Sequence, residues 1–263
     1  MRLAALLLAA TFCDAQTVVI TAPFVIDGAA EYRSFQQWRR QPANSALKWE
    51  EAISQYRWNL AKQQGLPRAV VERTLRIIEA RDEATLYDPV YAAPPKFDTR
   101  PNALLVEAVA NRTPGVALDV GMGQGRNSLH LVRKGWKVTG FDVAAEGLAQ
   151  ARKQAAAESL TIQTVHASDE EFDFGTARWD LIAILYPIEK RSVFRVAQAL
   201  KPGGIVVVEC AHRSAGGAPF EYGDNELLDI FKGFLILKYE DTVAIHDWTR
   251  KPLRLVRLVA QKQ

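Results

Sequence analysis

Glycines and carboxylates come together in one stretch near the middle of the 263-residue chain. An apolar run, residues 116–120, is followed by Gly121, Gly123 and Gly125, and Asp119 lies two residues before the first glycine. Glycines let the backbone turn tightly and leave no Cβ between the main chain and a ligand. A carboxylate at the mouth of such a loop repels a pyrophosphate and attracts a cation. The pattern therefore favours a positively charged ligand that carries no phosphate.

The residues on either side predict the elements that position this loop. Residues 116–120 read as a buried strand, residues 127–134 as a helix that stops at Gly135, and residues 137–142 as a second strand that ends in Asp142. Strand, glycine turn, helix and strand begin a βαβ unit, in which ligands bind beyond the carboxyl ends of the strands. An acid about 20 residues after such glycines can accept both hydroxyl groups of a ribose.

The loop departs from the nicotinamide-dinucleotide fingerprint, G-x-G-x-x-G, which places a helix N-terminus against a pyrophosphate. The position three residues after Gly123 is Arg126, so the third glycine is out of place. The negative charge of Asp119 also disfavours a pyrophosphate ligand. A nicotinamide-dependent oxidoreductase remains an alternative that these two residues disfavour.

The order D-x-G-x-G-x-G, strand, acid resembles the class I S-adenosylmethionine-dependent methyltransferases, over residues 99–263. S-adenosylmethionine carries a sulfonium and an amino group and no phosphate. The resemblance implies a Rossmann-like α/β fold, with a seven-stranded, mostly parallel sheet, helices on both faces and a C-terminal antiparallel hairpin. It implies methyl transfer from this cofactor. The implied cofactor contacts are Asp119, Gly121, Met122, Gly123, Gly125, Asp142, Val143, Ser168, Asp169, Glu170 and Tyr186.

Two further stretches strengthen the resemblance. A predicted strand, residues 160–167, runs into Ser168 and Asp169, which resemble the family's acidic loop beside the adenine. Asp169 is the candidate for the exocyclic amine, with Ser168 as the alternative, and a solvated acidic loop is the competing interpretation. The turn Lys-Pro-Gly-Gly at 201–204 precedes an apolar strand at 205–210, an order common in the family.

The sequence also carries indications about the methyl acceptor. The predicted strand from residue 179 to 187 ends in Leu-Tyr-Pro and is followed by Ile188, without the amide or acid that base-methylating enzymes typically carry there, so a small-molecule acceptor is favoured. Tyr186 either lines the substrate pocket or fills space. Tyr186 and His212 are the candidate catalytic residues. His212 would act as a general base, and a loop histidine in water is the alternative. An activated sulfonium does not require a catalytic base.

The end of the chain predicts two antiparallel strands, residues 234–247 and 253–260, because the link between them is too short for a parallel crossover. His246 and Trp248 would reach the substrate if this hairpin folded over the site. The net charge of +3 without a long basic run gives no indication of nucleic acid. The cysteines, Cys13 and Cys210, predict neither a disulfide nor a metal site.

Residues 17–98 predict a mainly helical extension before the domain at 99–263, with helices at 31–40, 45–64 and 67–86. The resemblance suggests that such an extension covers the substrate side as a lid. The proline-rich stretch from 87 to 100 is expected to be irregular. Its candidates for cofactor or substrate contact, with a plain linker as the alternative, are Tyr91, Lys96, Phe97 and Arg100.

Residues 1–16 resemble a secretory leader. Arg2 is followed by an apolar stretch from Leu3 to Phe12 that is too short to span a bilayer, so no stable membrane span is expected. Residues 13–15 approximate a cleavage site. The leader predicts export to the periplasm or beyond, and a cytoplasmic protein if it is not removed. It also motivates a second alternative, a non-catalytic binding or interaction protein of the cell envelope that keeps the fold.

Overall fold

The computed structural model describes residues 26–186, 190–216 and 221–263. The predicted leader and cleavage site lie outside these ranges, as do Pro187, the last residue of the predicted fourth strand, and Ile188 after it. The division of the chain into leader, extension and domain stays a prediction.

Within the described residues, seven strands form one sheet in the order β3-β2-β1-β4-β5-β7-β6. Neighbouring strands from β3 to β5 are parallel, and β7 runs antiparallel to both β5 and β6. The predicted fold class is therefore confirmed. The strands are β1 (Val116–Val120), β2 (Lys137–Asp142), β3 (Gln163–His166), β4 (Trp179–Leu185), β5 (Leu200–Ala211), β6 (Leu235–Ile245) and β7 (Pro252–Gln261).

Helices cover both faces of this sheet. The core on one face includes residues of α4 and α5, and the core on the other face includes residues of α7 and α8. Strands buried on both faces are expected to be continuously apolar, as β4 and β5 largely are. The helices are α1 (Gly28–Arg39), α2 (Trp49–Trp58), α3 (Arg68–Ala92), α4 (Ala103–Val109), α5 (Arg126–Arg133), α6 (Ala145–Ala157), α7 (Lys190–Ala199) and α8 (Glu226–Ile230).

The first three helices build a core of their own. Apolar side chains at helical spacing meet there, and the ring of Phe35 contacts those of Trp38, Trp49 and Tyr56. The helix predicted over 45–64 is shorter, because α2 begins at Trp49 and passes into a π-helical turn, Asn59–Gln63. Gly65 follows in the left-handed conformation (φ +68°), which suits the predicted C-terminal cap.

Helix α3 is longer than the sequence predicts, because it continues through Pro89 to Ala92 where an irregular stretch was expected. Pro89 cannot donate a hydrogen bond to the helix. Contacts with α6 hold the last turn instead. The Glu146 amide donates to Asp88 Oδ1 at 2.9 Å, and the Gln150 side-chain amide donates to the Tyr91 carbonyl.

Strand β5 also starts earlier than expected. The predicted turn at 201–204 lies inside the strand as an irregularity, since Trp179 of β4 faces Leu200 and Leu181 faces Ile205. Gly203, at φ +79°, allows the chain to bulge at this point.

Candidate cofactor site

The glycine loop follows β1 at the carboxyl edge of the sheet. Gly121, Gly123 and Gly125 all have φ between +51° and +80°, a region that other residues adopt only with strain. The Met122 amide donates to the Phe141 carbonyl at 3.0 Å, which ties the loop to the end of β2. The Met122 side chain packs against Leu148 and Ala151 of α6. Met122 therefore belongs to the loop through its backbone, and its side chain contributes to packing.

Asp142 ends β2 beneath this loop, as predicted. One carboxylate oxygen accepts the Gly123 amide at 2.8 Å, and the other accepts the Ala144 amide at 2.7 Å. Burial raises the pKa of Asp142, and these two amide donors oppose the rise. A carboxylate has about four lone-pair sites, so it can still accept hydrogen bonds from a ligand's hydroxyl groups.

Asp119 lies near the end of β1 and is 1% exposed. Its carboxylate accepts a hydrogen bond from Ser128 Oγ at 2.7 Å. Burial raises its pKa to about 6, although Ser128 and the charge of Arg126 favour the ionised form. A buried carboxylate of this kind is stabilised by a cation, which agrees with the expected positively charged ligand.

The acidic loop after β3 is held by neighbouring helices. Glu170 accepts from Arg76 of α3 at 2.7 Å. Asp169 accepts from Ser192 of α7, and Ser168 donates to Glu171 from both its amide and its hydroxyl. Three predicted cofactor contacts therefore already have protein partners in this structure. Val143 offers its carbonyl to the His166 ring at 2.9 Å.

Tyr186 directly follows β4 and has a φ of +85°, a strained value for a tyrosine. Its hydroxyl donates to Glu209, and its ring packs against His246 with centroids 4.4 Å apart. Burial, with the charges of Glu209 and Asp247, raises the pKa of Tyr186 far above its ordinary value. Tyr186 is therefore a neutral phenol and not a base at neutral pH.

Glu209 was not among the residues predicted from the sequence. An acid inside the apolar run Val-Val-Val-Glu-Cys was the available signal, because a buried carboxylate needs several donors. The structure supplies them, as the side chains of Asn102, Tyr186 and Arg257 all donate to Glu209.

His212 directly follows β5, and its side chain contacts Ser214 and Asp224 rather than Tyr186. Its Nδ1 accepts the Ser214 amide at 3.1 Å, and its Nε2 lies 3.3 Å from Asp224. Ligand atoms of His212, Asp224 and Asp241 lie within 4.8 Å of one another, the spacing of a cation site. However, the Arg254 guanidinium already donates to both carboxylates, so it supplies the positive charge there.

The turn between β6 and β7, residues 246–251, packs against residues that adjoin the glycine loop, and a contact of His246 or Trp248 with the substrate stays a prediction. Asp247 forms an ion pair with Arg126, the first residue of α5, at 2.8 Å. The Trp248 ring stacks on Phe97 at 4.4 Å and meets the edge of Tyr91. We call residues 246–251 the β6–β7 turn.

Two of the four candidates between residues 87 and 100, Tyr91 and Phe97, are buried beside the β6–β7 turn. Tyr91 lies against Gly123 so closely that a methyl group on that glycine would collide with its hydroxyl, and Phe97 packs under Trp248. Lys96 is exposed, and Arg100 pairs with Asp98. These aromatic contacts therefore join the last turn of α3 to the β6–β7 turn.

The residues fit S-adenosylmethionine. The glycine loop is a cradle that a Cβ would fill, Asp142 beneath it can accept hydroxyl groups, and Asp119 is a buried carboxylate suited to a cation. Tyr91 lies on the same cradle. Its side chain must either shift when the cofactor enters or form one wall of the bound state.

Comparison with known proteins agrees with this geometry. Residues 117–204 match a family described as a methyltransferase domain. The ubiquinone biosynthesis O-methyltransferase of Cronobacter sakazakii is 35% identical over 126 residues, which are 44% of this chain and 52% of that protein. The chain thus spans about half the length of this curated relative.

Solved structures share the fold at low sequence identity. TehB from Haemophilus influenzae has a TM-score of 0.54 at 20% identity, covering 69% of this chain and 67% of that chain. A Methanosarcina mazei protein described as an S-adenosylmethionine-dependent methyltransferase has a TM-score of 0.52 at 16% identity, covering 62% and 98%. Residues 117–204 therefore form a methyltransferase domain with the class I fold, and the family match, the glycine loop and its two carboxylates together support S-adenosylmethionine as its cofactor.

Proposed function

We propose that the protein transfers the methyl group of S-adenosylmethionine to an oxygen atom of a small-molecule acceptor. The observation that supports methyl transfer is the pair of buried carboxylates, Asp119 and Asp142, placed around a glycine loop at the carboxyl edge of the sheet. The choice of oxygen follows the relative named as an O-methyltransferase. The family match and the charge of Asp119 disfavour the nicotinamide alternative.

The bound cofactor would supply an activated methyl group, so the protein needs mainly to align an acceptor with it. Asp119, Asp142 and the glycine loop would hold that cofactor, the demethylated thioether would be the leaving group, and the acceptor's proton would pass to solvent or to a base. Asp119 offers negative charge, and the backbone at Gly123 offers close approach. Tyr186 and His246 lie together on the side of β4, where the acceptor is expected.

His246 offers a hydrogen-bond donor to that acceptor. The Thr249 amide donates to His246 Nδ1 at 3.0 Å, which leaves the proton of the neutral ring on Nε2. Burial lowers the pKa of His246, so the ring is neutral at pH 7. A neutral ring with a proton on Nε2 can orient an oxygen atom by donating to it.

The proposal is tested first by calorimetry with S-adenosylmethionine. We expect binding, and a titration without heat at ~1 mM cofactor, where affinity is already weak, would contradict the proposal. Transfer is then measured with methyl-labelled cofactor and a simple phenolic probe, 3,4-dihydroxybenzoate, alongside a metabolite mixture. Label recovered as a methyl ether supports oxygen as the acceptor atom, and label on nitrogen or sulfur alone would overturn that choice.

We also propose that the leader at residues 1–16 directs export and is removed. N-terminal sequencing of the protein from fractionated cells tests this, and an intact Met1 in the cytoplasmic fraction would contradict it. In the part of the chain that the structure describes, no helix combines the length and apolar character needed to cross a membrane.

A further inference from the structure

Glu209 is a buried carboxylate on β5, and it lies behind Tyr186. It is 1% exposed. Asn102 Nδ2 donates to it at 2.8 Å and Arg257 Nε at 2.6 Å, and the Tyr186 hydroxyl is the third donor. Removing such a group from water is costly, so three donors around one carboxylate form a specific arrangement.

Two of these donors also reach the β6–β7 turn. The second hydrogen of the Asn102 amide goes to Asp247 Oδ2 at 3.0 Å. The Asp247 amide in turn points at the Tyr186 hydroxyl at 3.4 Å. The turn is therefore tied to Glu209 by two routes, one through Asn102 and one through Tyr186.

The same turn reaches the glycine loop through the aromatic residues beside it. Trp248 stacks on Phe97 and meets Tyr91, whose hydroxyl abuts Gly123. The Asp98 amide also donates to the Asp247 carbonyl at 2.8 Å, which joins the turn to the segment before α4. A continuous set of contacts therefore runs from Glu209 to the cofactor cradle.

We propose that Glu209 is a positioning residue that holds the β6–β7 turn closed over the glycine loop, so that cofactor retention depends on a carboxylate buried behind Tyr186. The inference rests on the proposed function in that the retained ligand is S-adenosylmethionine. A carboxylate is required because all three neighbours donate, and a carboxylate only accepts. A glutamine in its place would turn an N–H group toward one of the donors.

The test compares Glu209→Gln with Glu240→Gln. Glu240 is another carboxylate partner of Arg257, at 3.5 Å, and is more exposed, so its variant changes the surroundings of the same arginine and leaves the hydrogen bonds to Glu209 in place. We expect Glu209→Gln to weaken S-adenosylmethionine binding about tenfold by calorimetry, the size of an ordinary coupling between two sites. Hydrogen exchange of residues 244–252 should become about tenfold faster. The Glu240→Gln variant should match the wild type in both measurements.

A second variant keeps the test decisive if the Glu209→Gln protein does not fold. Tyr186→Phe removes only the hydroxyl that joins Glu209 to the turn, and it should shift exchange and affinity in the same direction. The inference is overturned if folded Glu209→Gln or Tyr186→Phe protein keeps the exchange rates of the wild type, or if Glu240→Gln has an equal effect.

The exchange measurement needs no cofactor, so it separates the two proposals. A wild type that fails to bind S-adenosylmethionine would overturn the proposed function, while unchanged exchange in the variants would overturn the positioning role alone.

Discussion

The Tyr91 hydroxyl occupies the space beside Gly123 that any side chain at that glycine would need. The two residues meet at the proposed cofactor cradle, Tyr91 from the last turn of α3 and Gly123 from the loop after β1. From this contact we expect both Gly123 and Tyr91 to affect cofactor binding.

We expect Gly123→Ala to lose cofactor binding as well as stability. Its φ of +51° strains an alanine, which costs about 1–2 kcal/mol, and the new methyl group collides with Tyr91. Gly203→Ala is the matched control, because Gly203 has φ +79° and open space around it. The control should lose stability in thermal unfolding and keep the calorimetric affinity. Equal affinity for both variants would contradict the assignment of the cradle.

Asp142→Asn should weaken S-adenosylmethionine binding by tenfold or more. Both oxygens of Asp142 accept backbone amides, so the asparagine NH₂ group must face one of those amides and the loop loosens. Asp180→Asn is the control, since Asp180 accepts the Val116 amide at the opposite end of β1. Calorimetry should show normal affinity for the control, and a control that also loses affinity would point to general destabilisation.

Because of Asp119, the free energy of unfolding should decrease as pH rises from about 4 to 6. Its pKa is raised from 3.8 to about 6 by burial, so the folded state holds a proton there that the unfolded chain has lost. The buried charge above pH 6 then costs about 3 kcal/mol, at 1.36 kcal/mol per pKa unit. Asp119→Asn should be more stable than the wild type at pH 8, with the difference vanishing by pH 4.

Urea unfolding between pH 4 and pH 8 measures this difference. The opposite trend is expected for Asp180: burial would raise its pKa, but Lys201 and the Val116 amide hold it below its ordinary value. Asp180 therefore contributes stability above its unfolded pKa that is lost as pH falls. A pH-independent difference between wild type and Asp119→Asn would show that Asp119 does not titrate in this range.

Glu170→Gln should leave cofactor affinity within about twofold of the wild type, a free-energy change near 0.4 kcal/mol. The Glu170 carboxylate is engaged by Arg76, so its loss should reduce stability by loosening α3 from the loop after β3. Calorimetry and thermal unfolding of the same sample separate the two effects. A tenfold loss of affinity would restore the sequence-based expectation that Glu170 contacts the cofactor.

The sequence alone determined the sheet and the cofactor loop. Strands β1 and β4 could be predicted from their apolar runs. The antiparallel pairing of β6 and β7 could be predicted from the short link between them. The glycines and Asp142 follow a fixed spacing because one βαβ unit brings them together. For these features, neighbouring residues along the chain are also neighbours in space.

Tertiary structure decided how the site is covered and supported. Arg76 and Glu170 are 94 residues apart in sequence, and Asn102 and Glu209 are 107 apart, so no local pattern predicts either contact. The last turn of α3 is helical despite Pro89 because α6 holds it from outside. Side-chain partners that meet only after the chain has folded leave no periodic trace in the sequence, which is why Glu209 and the anchoring of the acidic loop emerged from the structure.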